Sequence, residues 1–274
     1  MSETTKPTLP SEYVVPDVWT FDDPSSSNQP TAGARKEMKL KRGEHDLQLY
    51  SLATPNGMKI NMLLEELNDL KGIEYDAYKI AFSDLDQFGS DFVAINPNSK
   101  IPAMLDTSMD PPLRLFESGS ILKYVAEKYD AFIPTDPRDK VEVFNWLFWQ
   151  VGGAPYIGGG FGHFYKFAPV HIEYAINKFS METKRQLDVL DKHLEGKTFV
   201  VGEQYTIADI AIWPWIMCTI KFYGGKDFLG IDSYKNLMKW YNMIDERPAT
   251  KRAFRITGFT PDAIAERHSK EDLM

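Results

Sequence analysis

The stretch Leu47 to Leu70, LQLYSLATPNGMKINMLLEELNDL, decides how the rest of the chain is read. It opens on a short apolar run, Leu47 to Leu52, which ends in the turn Thr54-Pro55-Asn56-Gly57. Ile60, Leu63, Leu64 and Leu67 then recur at helical spacing, with Glu65, Glu66 and Asp69 between them. Strand, tight turn, helix is the most economical reading. Asn56 is a good cap residue where the helix starts, because the first backbone N–H groups there have no internal partner. Such a place favours an anion. Thr54 and Asn56 are therefore either turn and cap residues only or the contacts of an anionic ligand.

Outward from this stretch, residues 46–132 read as one unit. Tyr75 to Ile80 suits a second strand, and a loop with Ser83, Asp84, Asp86 and Gln87 follows. A short helix near Phe88 to Ile95 stops at Asn96-Pro97-Asn98. Ser99-Lys100-Ile101-Pro102 then precedes a strand, a position that suits a cis bond in a tight turn. Leu113 to Phe116 is another strand, and Glu117-Ser118-Gly119-Ser120 opens a helix with Ile121, Leu122, Val125 and Tyr129 on one face. The order is strand, helix, strand, helix, strand, strand, helix.

Residues 138–250 read as almost wholly helical. Val141, Phe144, Leu147, Phe148 and Val151 form one stripe, a glycine-rich loop runs from Gly152 to Gly162, and Pro169 to Leu194 is a long amphipathic run. Thr206-Ile207-Ala208-Asp209 has capping-box spacing before an apolar helix. Residues 1–45 read as an extension without its own core, in which Trp19 and Phe21 can pin the arm to the body; its basic cluster Arg35, Lys36, Lys39, Lys41, Arg42 reads as a solvated linker. Residues 251–274 read as a polar tail.

Composition excludes several classes. A net charge of −8 in 274 residues argues against a nucleic-acid surface. No apolar run approaches ~18 residues, so no membrane span is expected. No secretory signal is visible. Cys218 is the only cysteine, so no internal disulfide, thiolate metal cluster or Cys-x-x-Cys pair can form. It lies among Ile216, Met217 and Ile220 and reads as a buried, inert thiol in a cytoplasmic protein. The histidines show no metal-ligand spacing, and Gly158-Gly159-Gly160-Phe161-Gly162 lacks the pattern of a nucleotide loop.

Three turns remain: Thr54-Pro55-Asn56, Lys100-Ile101-Pro102 and Glu117-Ser118. In a thioredoxin-like order all three lie at one end of the sheet. The Ile101 backbone can pair with an extended peptide as an added strand. Glu117 can take an ammonium group, and Ser118 at a helix start can take a carboxylate. The combination describes a pocket for a small zwitterionic peptide, with Thr54 and Asn56 left for its reactive end.

These residues in this order resemble the glutathione transferase superfamily. The shared features are Ser-Lys-Ile-Pro, Glu-Ser-Gly at a helix start and Thr-Ile-Ala-Asp in a following helical domain, and they run from Leu47 to Pro248. Leu-Tyr-Ser-Leu-x-Thr-Pro-Asn-Gly, Asn-Trp-Leu-Phe-Trp and Gly-Gly-Gly-Phe-Gly-His-Phe-Tyr resemble its nu-class bacterial disulfide-bond reductases. The resemblance implies an α/β plus all-α fold, with a thioredoxin-like N-terminal domain followed by a helical C-terminal bundle. It implies glutathione as co-substrate, no metal, thiol and disulfide partners and a homodimer. It places Gln87, Lys100, Ile101, Glu117 and Ser118 on the glutathione backbone, with Pro55 also among the glutathione contacts, Thr54 and Asn56 at its sulfur as the catalytic pair, and Asn28 of the arm within reach of the site. It also implies two glutathiones per subunit. Lys178 falls where the relative has Arg, and Trp149-Gln150-Val151 replaces a Trp-Leu-Gln order. Tyr165 and Phe161 are either the second-substrate side or plain helical core.

The chemistry is then that of a borrowed thiol. No protein cysteine is available in the first unit, so two glutathiones supply both thiols of a disulfide reductase. The alternatives are a conjugating transferase or organic hydroperoxide peroxidase on the same fold, and a non-catalytic interaction module.

Overall fold

The computed structural model describes residues 31–274; Trp19, Phe21 and Asn28 lie outside the described residues. The apolar run Leu47–Ser51 forms β1, buried along its whole length as a central strand requires. It is followed by α1 (Pro55–Lys71), β2 (Asp76–Lys79), α2 (Ser90–Ile95), β3 (Ala103–Asp106), β4 (Leu113–Phe116) and α3 (Ser118–Lys128). β1 pairs in parallel with β2, Gln48 opposite Asp76, and antiparallel with β3, Tyr50 opposite Ala103. β3 pairs antiparallel with β4, which sets Ala103 opposite Phe116. This is the thioredoxin-like order expected from the sequence, and the Ile101–Pro102 bond is cis.

The helical part begins at α4 (Pro137–Pro155), whose start is fixed by Pro137 and by the Asp136 carboxylate, which accepts from the N–H groups of Arg138 and Asp139. It continues through α5 (Glu173–His193), α6 (Ile207–Met217), α7 (Lys226–Leu229), α8 (Lys235–Asp245) and α9 (Pro248–Ala253). The glycine-rich segment is not a loop. Tyr156–Phe167 prolongs α4 as a wider, π-helical coil. Its glycines permit close packing: a Cβ on Gly158 would sit 2.7 Å from the Trp215 ring, and one on Gly160 2.4 Å from Phe179. The α4 stripe also divides. Val143, Trp146, Leu147, Gln150 and Ala154 face inward, whereas Val141, Phe148 and Val151 are exposed. Thr206 and Asp209 form the capping box at α6, and Asp209 also accepts from Trp240 Nε1 at 2.8 Å.

α1 is the element between the two parts. It packs against α3, α6 and α9, and every residue from Gly57 to Asn68 is buried. Glu65, Glu66 and Asp69 fall between the apolar positions, as on a polar face, and Asp69 is exposed. Glu65 is instead fully buried and pairs with Arg252 at 2.5 Å and Arg267 at 3.2 Å, and Glu66 holds Arg247 through two bonds. Those arginines arrive from about the last thirty residues, too far along the chain for any local pattern to show.

The tail, read as polar, is also built into the fold. Glu266–Arg267 forms β5 and adds to β2, giving the sheet order β4-β3-β1-β2-β5. Fully buried Arg267 donates to Tyr75 O at 2.9 Å, pairs with Glu74 at 2.6 Å and lies over the Tyr75 ring. The basic linker is not merely solvated either. Lys36 pairs with Asp86 at 2.8 Å, Lys39 with Asp91 at 3.2 Å, and Arg35 stacks on Phe88. It straps the segment that carries Gln87.

Candidate active site

The strand registers bring the three turns to one edge. Ala103 stands opposite both Tyr50 and Phe116, so Pro102, Leu52 and Glu117 leave their strands at the same end of the sheet. Lys79 pairs with Ser51 in parallel, so the chain toward Gln87 leaves there as well.

At the first turn the N-cap residue is Thr54, Pro55 takes the first helical position, and no side chain caps the helix. This differs from the expected capping by Asn56, and the reason is one of register: Asn56 lies inside the first turn. Gly57 is required here, because a Cβ would lie 1.9 Å from Leu52 O. Asn56 Oδ1 accepts from Trp215 Nε1 at 3.1 Å and from the Ser118 hydroxyl at 3.5 Å. An indole N–H only donates, so the atom facing it is the amide oxygen. The amide NH2 of Asn56 is thereby turned the other way, and it has no partner among the described residues, nor has the Thr54 hydroxyl.

The other two turns also present unused groups. The N–H and C=O of Ile101 make no hydrogen bond among the described residues. Exposed Lys100 and Glu117 form no ion pair among them. Glu117 is held at φ 66°, a conformation that non-glycine residues seldom adopt and that costs about 1 kcal/mol or more. Gln87 is buried, and its Oε1 has no partner among the described residues. A buried amide oxygen without a donor is costly, so a ligand N–H is what this one fits.

Sequence reasoning missed the layer beneath. Lys59, 1 % exposed, donates to Gln150 Oε1 of α4 at 2.6 Å and to Ser118 Oγ at 3.2 Å. Burial pushes its ammonium down to about 7, and the Glu117 carboxylate acts in the opposite direction. One signal was legible: Lys59 precedes Leu63 by four residues and so lies on the apolar face of α1. Trp215 and Gln150 come from distant helices, and nothing local points to them.

A mainly apolar cavity of about 440 Å³ opens beside Thr54 and Pro55, walled by Phe167, Phe222, Tyr223 and Phe259. Phe161 is instead fully buried in the helical core, and Tyr165 stacks on it at 4.8 Å; neither lines that cavity. Lys178 is exposed on α5, with its Nζ near the Phe179 ring, and no contact joins it to the three turns among the described residues. Cys218 lies in the cavity wall, 3 % exposed, and burial pushes its thiol up to about 11.

The chain belongs to the glutathione S-transferase family. The family's N-terminal domain model matches residues 45–127, and its C-terminal domain model matches residues 173–248. Among curated relatives, Escherichia coli YghU, a disulfide-bond oxidoreductase, is 51% identical over 268 residues, covering 93% of each chain. Among solved structures, the glutathione transferase YghU from Streptococcus pneumoniae, complexed with glutathione, aligns with a TM-score of 0.82 at 53% identity, covering 90% of this chain and 98% of that one. A Pseudomonas fluorescens family member with two glutathiones bound gives 0.72 at 40% identity, over 76% and 91%.

Proposed function

We propose that this chain is a glutathione-dependent disulfide-bond oxidoreductase of the nu class, working with two bound glutathiones rather than a protein thiol. The observation that carries the reading is the set of unused groups converging on one sheet end beside Thr54 and Asn56, with the single cysteine buried and its thiol pushed up. Glu117 takes the γ-glutamyl ammonium, and Ser118 with the start of α3 takes its carboxylate. Gln87 and the Ile101 backbone hold the peptide, with Pro55 beneath it. Lys100 and Lys178 offer charge to its carboxylates, and Asn28, outside the described residues, is assigned a further contact with the tripeptide.

The Thr54 hydroxyl and the Asn56 amide then donate to the sulfur. A free thiol has a pKa of about 8.5, and each unit of lowering corresponds to about 1.4 kcal/mol. Two charge-assisted hydrogen bonds supply about one or two units. The glutathione thiolate attacks one sulfur of the disulfide, giving a mixed disulfide and releasing the other half as a thiolate. The second glutathione, as thiolate, attacks the glutathione sulfur of that mixed disulfide. Glutathione disulfide forms, the remaining half leaves, and the two departing thiolates take up the two protons the glutathiones lost.

The apolar cavity beside Thr54 favours a second reading of the same thiolate, conjugation to an apolar electrophile or reduction of an organic hydroperoxide. We also propose a homodimer, supported by exposed Val141, Phe148 and Val151 along one line of α4. A cytoplasmic setting fits a thiol-based reaction, and no helix among the described residues is long and apolar enough to cross a membrane. The test is steady-state reduction of a small dialkyl disulfide by glutathione, with native mass spectrometry to count bound tripeptide. Turnover with two tripeptides per subunit is expected. A protein that binds glutathione without reducing the disulfide would be a transferase or a binding module.

A further inference from the structure

We propose that Lys59 is the buried cationic base of the site, a positioning residue that acts through Ser118 on the anionic end of the bound tripeptide and takes up a proton as that anion arrives. The inference rests on the tripeptide reading above, because it needs a carboxylate at Ser118.

The geometry is a line of donors. Lys59 Nζ donates to Ser118 Oγ at 3.2 Å, and the Ser118 hydroxyl donates to Asn56 Oδ1 at 3.5 Å, where Trp215 Nε1 also arrives. A charged donor at the head of such a line polarises the groups after it. Asn56 thus becomes a better donor at its free NH2 end, and Ser118 is held in place at the start of α3. Gln150 fixes the other side of the ammonium at 2.6 Å, which ties α4 to the floor of the site.

A lysine is seldom this deeply buried without an acid beside it. Lys59 has two neutral oxygens instead, from α3 and α4. Glu117, at the start of α3, is the one charged group that acts on it among the described residues, and it makes no direct bond. The other packed neighbours, α6 and α9, send it no charge. Without a ligand anion the ammonium is therefore under-compensated, which favours loss of its proton. A carboxylate seated on the Ser118 N–H at the start of α3, beside the Lys59–Ser118 bond, supplies the missing negative charge at short range, while the ligand ammonium engages Glu117. Binding and protonation of Lys59 are then linked.

The experiment is calorimetric titration with S-methylglutathione, which has no thiol proton to release, near pH 8 in buffers of different ionisation enthalpy. The unaltered protein should take up close to one proton per site. Lys59→Met should bind about 10-fold to 100-fold more weakly, as expected for a lost charge-assisted hydrogen bond, and without proton uptake. Gln150→Glu is the second variant, because its carboxylate holds Lys59 charged beforehand; it should bind with the uptake suppressed. Binding by the unaltered protein without proton uptake would overturn the role of Lys59 and leave the tripeptide site standing. Persistent uptake in Lys59→Met or in Gln150→Glu would do the same. Failure of the unaltered protein to bind S-methylglutathione at millimolar levels would overturn the site reading itself.

Discussion

Asn56 shows how one residue changes meaning between sequence and structure. In the sequence it is a cap candidate beside a turn; in the fold its amide oxygen is occupied by Trp215 and its NH2 end is left to act. Asn56→Ala should lower turnover by about 10-fold to 100-fold, the value of one hydrogen bond to a charged group, with little change in glutathione affinity. Steady-state kinetics beside calorimetry would show it, and equal losses in both would make Asn56 a binding residue only. Glu117→Ala should do the reverse, raising the glutathione requirement by a similar factor while kcat is largely kept. The three turns that share one end of the sheet were legible because local pattern is informative in turns. For Lys59 only its place on an apolar helix face was legible; its partners, like those of Gln150 and Trp215, depend on which helices cross behind the sheet. Phe161 was ambiguous in sequence because an aromatic at helical spacing looks the same facing a core or a cavity; it faces the core.

At the scale of elements, periodicity gave α1, α3, α5 and α6, but it misjudged which faces were polar. α1 reads as amphipathic but is buried on all sides from Gly57 to Asn68, since Glu65 and Glu66 are met by Arg247, Arg252 and Arg267 from the end of the chain. The glycine run reads as a loop and is helical, since its glycines admit the Trp215, Phe179 and Tyr223 rings. The α6 cap was legible because its signal is local, and Thr206→Ala should cost about 1 kcal/mol, read as a lower midpoint in denaturant with unchanged slope. The exposed line on α4 makes a different prediction. Phe148→Glu should shift the mass in sedimentation equilibrium from dimer toward monomer; an unaltered mass would remove this face from the proposed interface.

On the scale of the whole molecule, residues 35–39 and the tail both pack against the thioredoxin-like part, through Lys36, Lys39 and Arg35 at one place and β5 at the other. The tail is held partly by His268, whose ring nitrogen bonds Asp76 at 2.7 Å. That bond raises the His268 pKa. Burial pulls Asp76 up, but the bonds from His268, the His45 N–H and Gln48 outweigh it and leave it lowered. A raised histidine contributes stability that is complete below its unfolded value of about 6.5 and is lost as pH rises through its folded value. A lowered aspartate contributes above about 3.8 and loses its share as pH falls. The latch is therefore strongest between those limits. Proteolytic release of the tail should speed up from about pH 6 to about pH 8, by less in His268→Gln; an identical pH dependence in the two would discard the latch. Above all these stands the question of whose sulfur reacts. The direct measurement is disulfide reduction by Cys218→Ala with glutathione as the sole thiol. Turnover equal to that of the unaltered protein is predicted, and a folded variant without activity would contradict a nucleophile brought by the ligand.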